Sequence, residues 1–168
     1  MSQPEAWLRG PLPGIPTLLQ PAAHAFVLAR EDVEAAVEGL TPDQLWRRPG
    51  GVASIGFHLA HLTGSTDRLL TYARGEALND AQKAALAAER DLEARKPALA
   101  SLVHAWHQRV AAALDELANF PDARLTEPRE VGRAKLPTTV IGAIFHAAEH
   151  AARHTGQLVT TVKVVRAQ

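Results

Sequence analysis

The amino-acid sequence predicts an all-α protein, a four-helix bundle with long second and third connections. Four segments carry apolar residues at helical spacing, and stretches rich in proline and glycine separate them. Patterns typical of strands are almost absent. Only residues 159–165 resemble a strand, and they continue a helical stripe. Long amphipathic helices bury their apolar faces by packing against one another, so these observations favour a bundle.

The helix ends carry recognisable signals. We expect the first helix at about 17–38, where Gly39 ends it. After a loop, Ser54 suits the N-cap of a second helix that ends before Gly75. Either Thr138 or Thr139 suits the N-cap of the fourth helix. Between the second and fourth helices we expect a short helix within 79–95, the third helix at about 97–119 and a loop at 121–137, and the fourth helix ends at about Val165.

Length and composition limit the function classes. A chain of 168 residues fits a single domain, 1–168, with a proline-rich N-terminal arm at 1–16. Eighteen basic and eighteen acidic residues balance, which argues against a nucleic-acid partner. We expect no signal peptide and no membrane span, and therefore a cytoplasmic location. The sequence contains no cysteine, which excludes a cysteine nucleophile and thiolate metal ligands.

Three histidines at successive i, i+4 spacing mark the fourth helix. They are His146, His150 and His154. Residues four apart lie on one helix face, so each neighbouring pair could bind one metal ion. The first and third are about 12 Å apart along the axis, too far for one ion to take all three.

Helical angles select between the two pairs. The apolar stripe runs along one line of the fourth helix, and His154 lies about 40° from it, His150 about 80° and His146 about 120°. This favours His150 and His154 as the metal pair. His146 is then expected either to contact the ligands without binding the metal or to be partly exposed. The stripe consists of Val140, Ile144, Ala147, Ala151, Leu158, Val162 and Val165.

A third ligand is expected from the second helix, which offers His58 and His61. His58 lies about 60° from the apolar line of that helix and His61 about 120°, so the angles prefer His58. His104 and His107 on the third helix are interpreted as ordinary solvated histidines. No acidic residue stands three positions before any histidine and no HExxH motif occurs, which excludes a carboxylate-bridged di-iron centre and a zincin helix. A mononuclear site remains.

Two phrases resemble the DinB / YfiT-like superfamily. The second helix reads SIGFHLAHL, after an RPGGVA lead-in, and the fourth contains HAAEHAARHTGQ. The resemblance implies a four-helix bundle with a metal held by three histidines, one from the second helix and two from the fourth. Carried over by motif, these are His61, His150 and His154. The implied ligand from the second helix therefore differs from His58, which stays as the rival.

The resemblance also implies a chemistry. Three neutral imidazoles leave a coordination position open, and zinc or nickel suits them, with iron as a further option. Related proteins include S-transferases that use bacillithiol or mycothiol, a mycothiol-dependent maleylpyruvate isomerase and metal-dependent hydrolases. We therefore expect a thiol S-transferase acting on a small-molecule electrophile, with a hydrolase or a non-enzymatic, stress-associated metal-binding protein as alternatives. A homodimer is also expected. Ser65, Arg68, Tyr72 and Gln157 are candidates to line the pocket.

Overall fold

The computed structural model describes residues 3–168, and helices dominate it. The predicted all-α fold class is confirmed. In chain order the helices are α1 (Gln20–Val37), α2 (Pro42–Trp46), α3 (Ile55–Arg74), α4 (Asp80–Ala88), α5 (Leu92–Arg95), α6 (Leu99–Ala118) and α7 (Val140–Arg166), and strands β1 (Pro128–Val131) and β2 (Leu136–Thr139) precede α7.

The four long helices form a ring around one core. α7 packs against α3 and α1, and α6 packs against the same two helices, so α1 and α3 lie diagonally opposite. Every residue of the apolar stripe predicted for α7 is buried. Phe26 of α1 and Trp106 of α6 are the largest fully buried side chains of the core. This arrangement is the predicted four-helix bundle.

The predicted end signals act as expected. The side chain of Ser54 accepts a hydrogen bond from the backbone N–H three residues on, and Gly75 ends α3 in the left-handed conformation at φ 84°. Thr139, rather than Thr138, makes the equivalent bond at the start of α7. Residues 159–165, the only strand-like stretch, continue α7 as a helix.

The loop expected before α3 is partly wrong, since it contains the short helix α2. Thr41 and Gln44 form a reciprocal capping box at its start. The ring of Trp46 then lies over Gly56 of α3, where a Cβ atom would be only 2.6 Å from the ring. A helix this short buries too few residues to show helical periodicity, so only its capping residues could have revealed it.

The loop expected at 121–137 is also partly wrong, because β1 and β2 pair there as an antiparallel hairpin. Gly132 and Lys135 both have positive φ in the connecting turn. Arg129 Nε donates to the carbonyl of Ala73 over 2.8 Å and joins the hairpin to the end of α3. Strands of four residues carry too short an alternation to be recognised in the sequence.

The N-terminal arm packs back onto α1. Arg9 Nη2 lies 2.8 Å from Glu31 Oε1, and the side-chain amide of Gln20 donates to the carbonyls of Leu12 and Ile15. Met1 and Ser2, the first residues of the predicted arm, lie outside the described residues. Within residues 3–168, every helix is too short or too polar to span a lipid bilayer.

Candidate metal centre

His61 of α3 meets His150 and His154 of α7 where the two helices pack together. One ring nitrogen of each lies within 4.8 Å of those of the other two. The ring centroid of His154 is 4.5 Å from those of both His61 and His150. All three side chains are half-buried. The three-histidine group could therefore bind a divalent metal ion.

The closest contact in this group joins His61 Nε2 and His150 Nε2, which are 3.0 Å apart. His61 Nδ1 lies 2.9 Å from the carboxylate oxygen Oε2 of Glu89. Since a carboxylate only accepts, Nδ1 of His61 is the donor in this contact, and in a neutral ring Nε2 is then the nitrogen that offers a lone pair. Two nitrogens bound to one tetrahedral zinc ion at about 2.05 Å would be about 3.3 Å apart, so the observed spacing fits a shared ion.

Arg68 holds Glu89 in place, and Gly64 leaves room for this ion pair. Arg68 Nη1 lies 2.6 Å from Glu89 Oε1, and both side chains are largely buried. A Cβ atom on Gly64 would come within 2.6 Å of Glu89 Oε1, so the glycine leaves room for the pair. Burial raises the pKa of Glu89, but the hydrogen bonds from His61 and Arg68 outweigh it and leave the pKa below its ordinary value. Glu89 is therefore ionised at neutral pH.

His150 and His154 are held in the neutral form that binds metals. Burial, and then the neighbouring His61 and His150, lower the pKa of His154 to about 4. Burial and His61 also lower the pKa of His150 below its ordinary value. A neutral imidazole is the state that coordinates a metal, so no proton has to be removed from these rings near pH 7.

The remaining histidines stay outside the group. The side chain of His146 is 51% exposed, and its Nδ1 lies 3.4 Å from a Glu149 carboxylate oxygen, as the angles predicted. His104 and His107 of α6 take no part in it. His58 is buried at 5% exposure and contacts His154, yet it is not a member either.

The helical angles that favoured His58 indicate how deeply each side chain is buried, and not which of the two meets the histidines of α7. His58 lies closer to the apolar line of α3 and is more buried than His61, as predicted. The three-histidine group, however, contains the half-buried His61 and not His58.

Comparison with known proteins identifies the family of the chain. The sequence matches the DinB superfamily over residues 25–158, a span that includes the whole three-histidine group. The chain belongs to the DinB superfamily. Among curated proteins, none matches this DinB chain.

A cavity of about 880 Å³ opens beside the histidines of this DinB protein. His58 and His154 lie in its wall, together with the apolar side chains of Val52, Phe57 and Val164. None of the residues that line it is an aspartate or a glutamate. The further lining residues are Pro49, Gly50, Ala53, Arg153, Gly156, Gln157, Thr160, Thr161 and Gln168.

The four pocket candidates have different positions in the DinB fold. Gln157 lines the cavity. Arg68 binds Glu89 instead, and the hydroxyl of Ser65 donates to the carbonyl of His61 over 2.6 Å. Tyr72 does not line the cavity.

Sequence reasoning missed Glu89 and Phe57. The ring of Phe57 stacks on that of His61, with centroids 5.5 Å apart and planes 8° from parallel. Its i, i+4 spacing from His61 was a usable signal. Glu89 carried no such signal, because it reaches His61 from the connection between α3 and α6.

Proposed function

We propose that this DinB-superfamily protein is a metal-dependent thiol S-transferase. The main support is the three-histidine group, which borders a cavity of about 880 Å³ through His154. The sequence contains no cysteine, so the nucleophilic sulfur must arrive with a cosubstrate. The resemblance suggests bacillithiol or mycothiol.

His61, His150 and His154 would hold the metal, zinc or nickel by preference and iron as a further option. Three protein ligands leave a fourth position for an incoming ligand. A divalent metal there supplies the positive charge that lowers the pKa of a small thiol toward neutrality. Glu89 orients His61 by accepting a hydrogen bond from its Nδ1–H.

The cavity suits an electrophile with an apolar body. Val52, Phe57 and Val164 provide apolar walls, while Gln157 and Thr160 offer hydrogen-bonding groups. In the transfer, a sulfur–carbon bond forms and the leaving group departs with the electron pair of its bond to carbon. The proton of the thiol passes to solvent.

The hydrolase alternative has weaker support, because no carboxylate is free to act as a general base: Glu89 is hydrogen-bonded to both His61 and Arg68. No aspartate or glutamate lines the cavity, and Glu149 is hydrogen-bonded to Arg153. Burial lowers the pKa of His58 to about 4, which makes it a weak base near neutrality. The homodimer and the cytoplasmic location stay predictions.

The test uses the full chain, stripped of metal and reloaded separately with zinc, nickel or iron. Each form is incubated with bacillithiol or mycothiol and a chloro-aromatic electrophile, and conjugates are detected by mass spectrometry. We expect a conjugate that requires both metal and thiol and is lost in His150→Ala. Absence of conjugate with every metal and thiol would overturn the proposal. Ester hydrolysis without thiol would then favour the hydrolase. Metal binding without either activity would favour a non-enzymatic metal-binding protein.

A matched pair of variants tests whether the cavity binds the substrate. Thr160→Trp places a large side chain at its wall, and Ala152→Trp adds the same side chain to an exposed position of α7 outside it. We expect the first to lower conjugate formation with unchanged metal content and the second to leave both unchanged. Equal effects of the two variants would contradict a role for this cavity.

A further inference from the structure

We propose that His58 is a positioning residue for the metal centre: its Nδ1 accepts a hydrogen bond from the Nδ1–H of His154 and so leaves His154 Nε2 free to bind the metal. The inference rests on the proposed metal-dependent function. It gives a role to the histidine that the three-histidine group does not include.

The contact that carries this inference joins two nitrogens of the same kind. His58 Nδ1 and His154 Nδ1 are 3.2 Å apart, although 96 positions separate the residues. A hydrogen bond between them requires one nitrogen to carry a proton and the other to offer its lone pair. With His58 only 5% exposed, little water is available to replace either partner.

The direction of the bond follows from what His154 does with its other nitrogen. A neutral imidazole has one N–H and one lone pair. The Nδ1 of His154 faces His58, which is not a member of the metal-binding group, so Nε2 is the nitrogen left for His61 and His150. A lone pair at Nε2 places the proton on Nδ1. His58 Nδ1 must then be the acceptor, and the proton of His58 lies on its own Nε2.

His58 thus does for His154 what Glu89 does for His61. Each accepts a hydrogen bond from the ring nitrogen that does not face the group, and each comes from a helix or turn outside α7. The Nδ1 of His150, by contrast, is buried without a hydrogen-bond partner among residues 3–168. Groups that orient a ligand in this way commonly contribute about 10–100-fold to metal affinity.

Three substitutions separate the role of one nitrogen from the role of bulk. The side-chain oxygen of His58→Asn can occupy the place of Nδ1, whereas that of His58→Gln reaches toward the place of Nε2. His58→Leu keeps volume without an acceptor. We expect His58→Asn to bind zinc nearly as tightly as the wild type, and the other two to bind it about 10–100-fold more weakly. Affinity is measured by competition with a chromophoric chelator, and the absorption spectrum of the cobalt-loaded protein reports ligand geometry.

A second measurement needs no metal and no variant. Nitrogen-15 NMR of the metal-free wild type reports which ring nitrogen of His154 carries the proton, and we expect Nδ1. A proton on Nε2, or wild-type zinc affinity in His58→Leu, would overturn the inference. If the wild type shows the Nδ1 proton but binds no zinc, nickel or iron, the proposed function fails while the hydrogen-bond direction stands. Thermal melts monitored by circular dichroism identify any variant that has unfolded.

Discussion

The carboxylate of Glu89 accepts a hydrogen bond from His61 Nδ1 over 2.9 Å, across 28 positions of the chain. The contact ties the connection between α3 and α6 to the histidine group, since Glu89 lies in a single helical turn between α4 and α5. A carboxylate in this position sets the tautomer of a metal-binding histidine and raises its basicity. The long connection is therefore part of the candidate centre.

Replacing Glu89 with glutamine tests this contact. The amide keeps the shape but removes the negative charge, so we expect zinc affinity to fall by about 10-fold or more. Chelator competition measures the change. Glu93→Gln is the matched control, because Glu93 makes only a partly exposed contact with Arg48. An equal loss of affinity in both variants would show that Glu89 acts through general charge rather than through His61.

Removing a member of the three-histidine group should abolish tight metal binding. We expect His61→Ala and His150→Ala to lose bound zinc during dialysis, because two imidazoles remain where three are needed for a stable site. His146→Ala should keep it, since that side chain is 51% exposed and outside the group. Elemental analysis of the dialysed proteins gives the result. Loss of metal in His146→Ala together with retention in His61→Ala would contradict the assignment.

The stability of the metal-free protein should fall on mild acidification. Burial, and then the nearby His61, lower the pKa of His58 from 6.5 to about 4. Burial likewise lowers that of His154 to about 4. Between these values the unfolded chain binds more protons than the folded one, so stability decreases as the pH falls through 6.5 and levels off below 4.

For His58 alone, the loss between pH 7 and pH 5 is about 2 kcal/mol. Urea unfolding of the metal-free protein at several pH values measures it. His58→Asn removes one of the titrating groups, so its stability should depend less on pH. A wild-type stability that is constant down to pH 5 would rule out the shifted pKa values.

Two glycine-to-alanine substitutions should have opposite effects on stability. Alanine favours a helix over glycine by up to about 1 kcal/mol. At Gly56, however, the added Cβ would lie 2.6 Å from the ring of Trp46, so we expect a net destabilisation of about 1–3 kcal/mol. At Gly156 of α7 nothing lies within 4 Å, so a small stabilisation is expected. Denaturant unfolding measures the free energy of unfolding of both variants. If Gly56→Ala were as stable as the wild type, α2 could move away from α3 without loss of stability.

The long helices were predictable because each carries its own signal. The α7 stripe is repeated over seven turns, and Ser54 and Gly75 mark the ends of α3 through local hydrogen bonding and backbone conformation. The short α2 and the β1–β2 hairpin were missed because elements of four or five residues are too short for periodicity. They are stabilised by contacts such as those of Trp46 with Gly56 and of Arg129 with Ala73.

The sequence by itself determined the bundle and the histidine pair of α7, because both depend on spacing within a single helix. The same spacing also separated His146 from its neighbours. Only the tertiary structure shows that His61, and not His58, meets His150 and His154 in the three-histidine group, since this depends on how α3 is rotated against α7. It also brought Glu89 to His61 and His58 to His154. Contacts between distant segments are set by packing, and no periodicity within one segment encodes them.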